Sequence, residues 1–154
     1  MKRGKSSFQV EKAEDSPGFL LWQVTNLWQR EIKKALEQYG LTHAQFVLLA
    51  STHWLTLNRE ELTQTALSTH TKIDQMTTST VLRTLQNRGF LNREEHSTDT
   101  RAKTVTLTAK GLEITKKAVK TVEKFDNDFF QTLGARSGEF NEILLALLTG
   151  NTGT

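Results

Sequence analysis

Five residues at helical spacing, Gln75, Met76, Ser79, Thr80 and Arg83, offer hydrogen-bond donors and acceptors, a thioether and one cation, with no carboxylate among them. Such groups can bond base edges, touch a thymine methyl or reach a phosphate. Ser/Thr-rich faces also occur on helices that meet only water, so the residue types alone leave both readings open. A little further on, Arg93, Arg101 and Lys103 crowd a second stretch, where cationic side chains can neutralise phosphates or enter a minor groove. The plainer reading of that stretch is a solubilising loop in which Glu94, Glu95 and Asp99 balance the bases. Between Thr71 and Lys110 seven Lys/Arg stand against four Asp/Glu, a modest local excess of positive charge.

The elements that must position these groups follow from the pattern. From Asp74 to Asn87 no Gly or Pro intervenes, Asp74 can cap the first turn with its short carboxylate, and Gly89 supplies a stop. At 100° per residue Thr78, Val81, Leu82 and Leu85 share one face, which predicts a helix packed on a core with the five polar groups turned away from it. Phe90 to Arg93 and Lys103 to Thr108 read as two strands, the second with β-branched alternation, joined by a polar tip that cannot be core. Upstream, Thr42 and Gln45 form a capping box that opens a helix through Phe46, Leu49 and Ala50 to Trp54-Leu55. A second helix start is expected at Asn58, with Glu61 in the same capping relation, followed by Leu62, Ala66 and Leu67. Helices in this order, ending in a basic hairpin, have the form of a winged helix-turn-helix, an element that binds nucleic acid.

The run Leu85-Gln86-Asn87-Arg88-Gly89-Phe90-Leu91-Asn92-Arg93, then Asp99-Thr100-Arg101, then Val105 to Gly111, resembles the signature of the MarR family of transcription regulators. In that signature a leucine and a glycine close the recognition helix and an arginine opens the wing. An Asp-x-Arg lies within the wing, and Leu-Thr-x-x-Gly leads into the next helix. The resemblance spans roughly Phe19 to Leu148. It departs at Thr100, where a second arginine is common in the family, which implies a weaker grip on phosphates. Asp99 is read as structural, pairing with Arg101 and orienting it.

The remaining chain surrounds this element with helix. Pro17 and Gly18 begin a stripe of Leu20, Val24, Leu27, Trp28, Ile32, Leu36 and Tyr39 that ends at Gly40. After Thr108 a second stripe runs from Leu112 to Leu133, Gly134 and Ser137-Gly138 break it, and Phe140, Ile143, Leu144, Leu147 and Leu148 form a strongly apolar last helix. One copy of a small winged domain cannot cover that much apolar surface. The outer helices are therefore expected to pair with a second copy, as the family resemblance also implies. The expected fold is mainly α with a small β-hairpin wing, a winged helix-turn-helix plus a helical dimerisation lobe. Its expected parts are a mobile arm over 1–16, a helical lobe from 17–41 and 109–149, a winged lobe over 42–108, and a tail over 150–154.

Other chemistries find little support. The 154 residues include no cysteine, which removes disulfides, thiolate zinc sites and cysteine-based redox sensing. His43 and His53 lie about 15 Å apart on one expected helix, too far to share a metal ion, and His70 and His96 have no partner at ligand spacing. No phosphate loop, nucleophile elbow or carboxylate pair is present, so no catalytic residue, cofactor or metal is expected. No apolar run reaches membrane-spanning length, and there is no apolar signal core, so a cytoplasmic location is expected.

The leading reading is a homodimeric regulator, a repressor of transcription, that reads a pseudo-palindromic site in double-stranded DNA. The rival is a winged-helix adaptor that docks a partner protein without reading DNA. By the family resemblance, a small aromatic ligand would act in a cavity between the lobes near Trp22, Asn26, His53 and Trp54, although plain packing also accounts for Trp22.

Overall fold

The computed structural model describes residues 7–58 and 61–153. Six α-helices and one antiparallel hairpin follow in the order α1 (Pro17–Leu36), α2 (His43–Thr56), α3 (Gln64–Thr71), α4 (Gln75–Asn87), β1 (Leu91–Glu95), β2 (Lys103–Leu107), α5 (Ala109–Phe130) and α6 (Ser137–Asn151). The fold is the expected one, mainly helical with a two-stranded wing.

Local chemistry accounts for most of the boundaries. Ser16 Oγ accepts from the Phe19 amide, Pro17 occupies the first helical position, and a 3-10 turn carries α1 to Gly40 in the left-handed region. At α2 both halves of the capping box are present, Thr42 Oγ1 accepting from Gln45 N at 3.1 Å and Gln45 Oε1 from Thr42 N at 3.0 Å. Asp74 caps α4 by accepting from Thr77 N at 2.8 Å. Gly89, at φ 79°, turns the chain into β1 through a left-handed conformation that a side chain would strain.

One expected start moves. Helix α3 begins not at Asn58 but after Thr63, whose hydroxyl accepts from Ala66 N at 3.1 Å. Leu62 and Thr63 are held elsewhere. Leu62 O accepts from Val105 N at 2.8 Å and Thr63 forms an isolated bridge with Thr104, so these two residues lie against β2 outside the two-stranded sheet. Glu61, read as a capping partner, instead reaches the wing. At the other end α6 starts earlier than Phe140 and runs through Gly150 to Asn151, so the first two residues of the expected tail are helical. Of the expected mobile arm, residues 1–6 lie outside the described residues, while Ala13–Asp15 form a 3-10 turn against the start of α1.

The core sits inside the winged portion and its junction with α1 and α5. Ile32, Leu36, Leu48, Leu49, Leu67, Leu82, Leu85, Leu91, Val105 and Ala118 are fully buried. Buried threonines do not break its satisfaction, because Thr52 and Thr115 donate to the carbonyls of Leu48 and Gly111 four residues back. The first turns of α1 and all of α6 contribute nothing to this core: Phe19 to Trp22 are exposed, and no residue of α6 is buried.

The junction after β2 explains the Leu-Thr-x-x-Gly motif physically. Thr108 Oγ1 donates to Gly89 O at 2.6 Å and accepts from Gly111 N at 3.0 Å, so one hydroxyl caps α5 and ties it to the end of α4. Gly111 then lies so close to the Phe90 backbone that an added Cβ would fall 1.7 Å from its carbonyl oxygen. Only glycine permits that approach.

Candidate nucleic-acid interface

Helix α4 turns Thr78, Leu82 and Leu85 inward and leaves the opposite side to solvent. Met76 is 81% exposed at its centre, with Gln75, Thr80 and Arg83 also exposed and Ser79 half-buried at the margin. Thr77, Thr84 and Asn87 belong to the same exposed surface and were missed by the sequence reading; the 100° spacing that selected Met76, Thr80 and Arg83 also selects Asn87. Thr80 Oγ1 donates to Met76 O at 3.0 Å, so its methyl and lone pairs are what it offers outward. Asp74, the one acid at this end, has its carboxyl held below the usual range by the Thr77 amide it accepts, so it stays an ionised cap.

The cations near this face divide into two sets. Arg93 is half-buried in the angle of the wing, its Nε donating to Gln86 Oε1 at 2.9 Å and its NH1 to Gln64 Oε1 at 3.2 Å. These two bonds tie β1 to α4 and α3. Arg88 is likewise occupied, its NH1 donating to Gly40 O at 2.8 Å and its guanidinium lying 4.7 Å from the centre of the Phe90 ring. Arg83 and Lys103 make no side-chain bond to any described residue. Arg101 is exposed at the tip, with its Nε 3.7 Å from Asp99 Oδ1. Asp99 also accepts from the Arg101 amide at 3.1 Å.

The wing tip carries one device that residue spacing did not reveal. His96 Nδ1 accepts from the amides of Thr98 and Asp99, both at 3.2 Å, which places the ring proton on Nε2 in the neutral form. Nε2 faces Glu61 Oε2 at 2.7 Å, and Ser97 Oγ donates to the same oxygen at 3.1 Å. The wing is thus clasped at its tip by the segment preceding α3. A contact across 35 residues leaves no local signature.

The expected effector cavity is not a single space. Trp22 and Asn26 line a shallow groove on the outer part of α1 with Phe19 and Leu27, whereas His53 and Trp54 line a cleft of about 610 Å³ between α2 and α5. The separation follows from the packing of α1. Only its second half meets the body of the chain, with Trp28 edge-on to His43 at 5.1 Å and its Nε1 donating to Asp126 Oδ1 at 2.9 Å. Trp22, nearly two turns earlier, projects past that junction. Burial lowers the pKa of His43 from its ordinary value, and the nearby Asp126 charge offsets this only in part. Among the described residues no group of three or more metal-binding side chains comes together, and no helix is long and apolar enough to cross a membrane.

The ArnR1-like winged-helix domain model matches residues 37–126. The HTH-type transcriptional regulator YdcH of Bacillus subtilis is 44% identical over 115 residues, covering 75% of this chain and 78% of its own. The HTH-type transcriptional repressor Rv2887 of Mycobacterium tuberculosis is 31% identical over 134 residues, covering 86% of this chain and 94% of its own. A cysteine-to-serine mutant of Escherichia coli MarR in complex with operator DNA superposes with a TM-score of 0.76 at 23% identity, covering 91% of this chain and 99% of that one. The chain belongs to the MarR family. CouR of Rhodococcus jostii bound to p-coumaroyl-CoA has the same fold, with a TM-score of 0.78 at 19% identity over 94% of this chain and 99% of that one. As a MarR-family protein the chain is a transcriptional regulator with a winged-helix DNA-binding fold. The two strands of the MarR-type wing, the recognition helix and the Asp-x-Arg at the tip are the elements the sequence pattern outlined.

Proposed function

We propose that this MarR-family protein is a homodimeric repressor that reads a pseudo-palindromic site in double-stranded DNA. The observation that carries this reading is the exposed face of α4: Gln75, Met76, Thr80 and Arg83 lie side by side with no carboxylate among them, beside a wing whose Arg101 and Lys103 point to solvent. In the major groove Arg83 would take base edges, bidentate to guanine where the site offers one, with Gln75, Ser79 and Thr80 bonding flanking bases and Met76 packing on a thymine methyl. Arg101 and Lys103 would grip phosphates or the adjacent minor groove, and Asp99 would hold Arg101 in position. Arg93 would act indirectly, by fixing the angle between α4 and the wing.

The helical lobe, residues 17–41 and 109–149, would pair two copies through the exposed apolar faces of α1 and α6, while residues 42–108 form the reading lobe. Phe19, Leu20, Leu21, Val24 and Leu27 on α1, with Ile143, Leu145, Leu147 and Leu148 on α6, are all exposed in the single chain, more apolar surface than a monomer keeps uncovered. Two-fold symmetry sets half-site centres about one helical turn apart, roughly 10–10.5 bp. The cleft beside Trp54 would receive a small-molecule effector that alters the spacing of the two recognition helices. Its place would be the cytoplasm, beside the DNA it reads.

Selection of tight binders from random-sequence DNA, followed by a salt titration of the winner, tests the reading. The expected result is an enriched inverted repeat whose affinity falls with salt by a log–log slope of about −0.9 per phosphate contact. Weak, salt-sensitive binding with no enriched sequence would sink it.

A further inference from the structure

The cleft between α2 and α5 has an apolar floor of Phe46, Val119 and Val122 and a single exposed aromatic, Trp54, at its rim. Its ionised groups are of one sign. Glu123 and Asp126, one turn apart on α5, both line it, and none of the described residues lining it is Lys or Arg. Asp126 is half-buried and oriented: Trp28 Nε1 holds its Oδ1 at 2.9 Å, while its second oxygen has no hydrogen-bond partner among the described residues. His53 and His70 are the other titratable groups on the wall.

An anion entering this space would approach two carboxylates in a partly desolvated setting, whereas a cation would be attracted by both. An indole at the rim adds a face suited to a positive charge, and the apolar floor suits a hydrocarbon body. We propose that the cleft takes a small hydrophobic cation, an aromatic body carrying an amine or quaternary ammonium group. This rests on reading the cleft as an effector site and gives that effector its charge. The p-coumaroyl-CoA bound by CouR is an anion, so the proposal separates this chain from that neighbour in ligand chemistry while the fold is shared. A route to the DNA face exists, because His70 lies at the end of α3, just before the turn into α4. A ligand wedged between α5 and His70 would press on the element that aims the recognition helix.

The test is calorimetric titration of the full chain at about pH 8 with 1-naphthylmethylamine and with 1-naphthoate, which share a ring and differ in charge. The amine is expected to bind about tenfold tighter or better. Replacing both acids, Glu123→Gln with Asp126→Asn, should erase that preference at unchanged melting temperature, since an asparagine oxygen can still accept from Trp28. Trp54→Ala should weaken the amine. Naphthoate binding as tightly as the amine, or an amine preference that survives the double substitution, overturns the assignment. Failure of both ligands to bind removes the cleft as a small-molecule site and the effector reading with it. Amine binding that leaves operator affinity unchanged upholds the ligand class and rejects its regulatory role.

Discussion

Helices α4 and α6 are of similar length, yet they stand in opposite relations to the rest of the chain. Helix α4 is polar on balance and buries Thr78, Leu82 and Leu85 completely against its own core. Helix α6 is far more apolar and buries nothing, with Leu145 still 60% exposed. Apolar content therefore does not decide which helix is core. What decides is whether the rest of the same chain supplies a surface to meet it. The winged part is closed by its own residues, whereas the apolar faces of the outer helices are left open.

The largest expected effect comes from making one substitution in both regions. Gly111→Ala drives a methyl into the Phe90 carbonyl and should cost about 3 kcal/mol or more in urea unfolding. Gly138→Ala in α6, where an added Cβ meets nothing within 4 Å, should instead stabilise by about 0.5–1 kcal/mol. Equal effects at the two sites would erase the distinction between closed and open regions.

Next, Leu145→Glu with Leu148→Glu should give a folded monomer in sedimentation at micromolar concentration, with operator affinity lower by on the order of a hundredfold as the second half-site is lost. A surviving dimer would place the interface elsewhere. Within the reading lobe, Arg83→Ala should cost about 1–3 kcal/mol and relax specificity at one base pair, while Lys103→Ala weakens all sequences alike. Equal losses on operator and random DNA for both variants would contradict that division.

The smallest effect is a pH dependence at the junction of the two regions. Burial holds the His43 pKa below its ordinary value of 6.5, so the folded state favours the neutral ring. Its contribution to stability is complete above that value and declines as acid protonates the ring, because the unfolded chain takes up the proton more readily. Asp126→Asn removes the charge that partly restores the pKa, so the His43 titration followed by NMR should move further down.

The sequence disclosed elements whose signals are local. The capping box at Thr42, the cap at Asp74 and the stop at Gly89 each lie within a few residues of what they terminate, and all three stand where spacing put them. It failed where a distant partner competes. Asn58 and Glu61 fit a capping pattern, but Leu62 and Thr63 are drawn into extended pairing with β2, and Glu61 goes to His96. The partners of Arg93, Gln64 and Gln86, are likewise invisible to local spacing, since they come to it only in three dimensions. The family resemblance put Trp22 and Trp54 around one cavity, while the packing of α1 sets them on separate surfaces of the single chain.

The bond from Trp28 to Asp126 joins residues 98 positions apart, and that distance has a consequence during synthesis. Helix α1 meets α2 soon after both are made, through Trp28 on His43, but the rest of its docking surface lies on α5, made after the whole winged part. At ribosomal speeds of about 5–20 residues per second, the gap amounts to roughly 5–20 seconds. Through that interval the second half of α1, with Ile32 and Leu36, is only partly covered on the nascent chain and open to a chaperone.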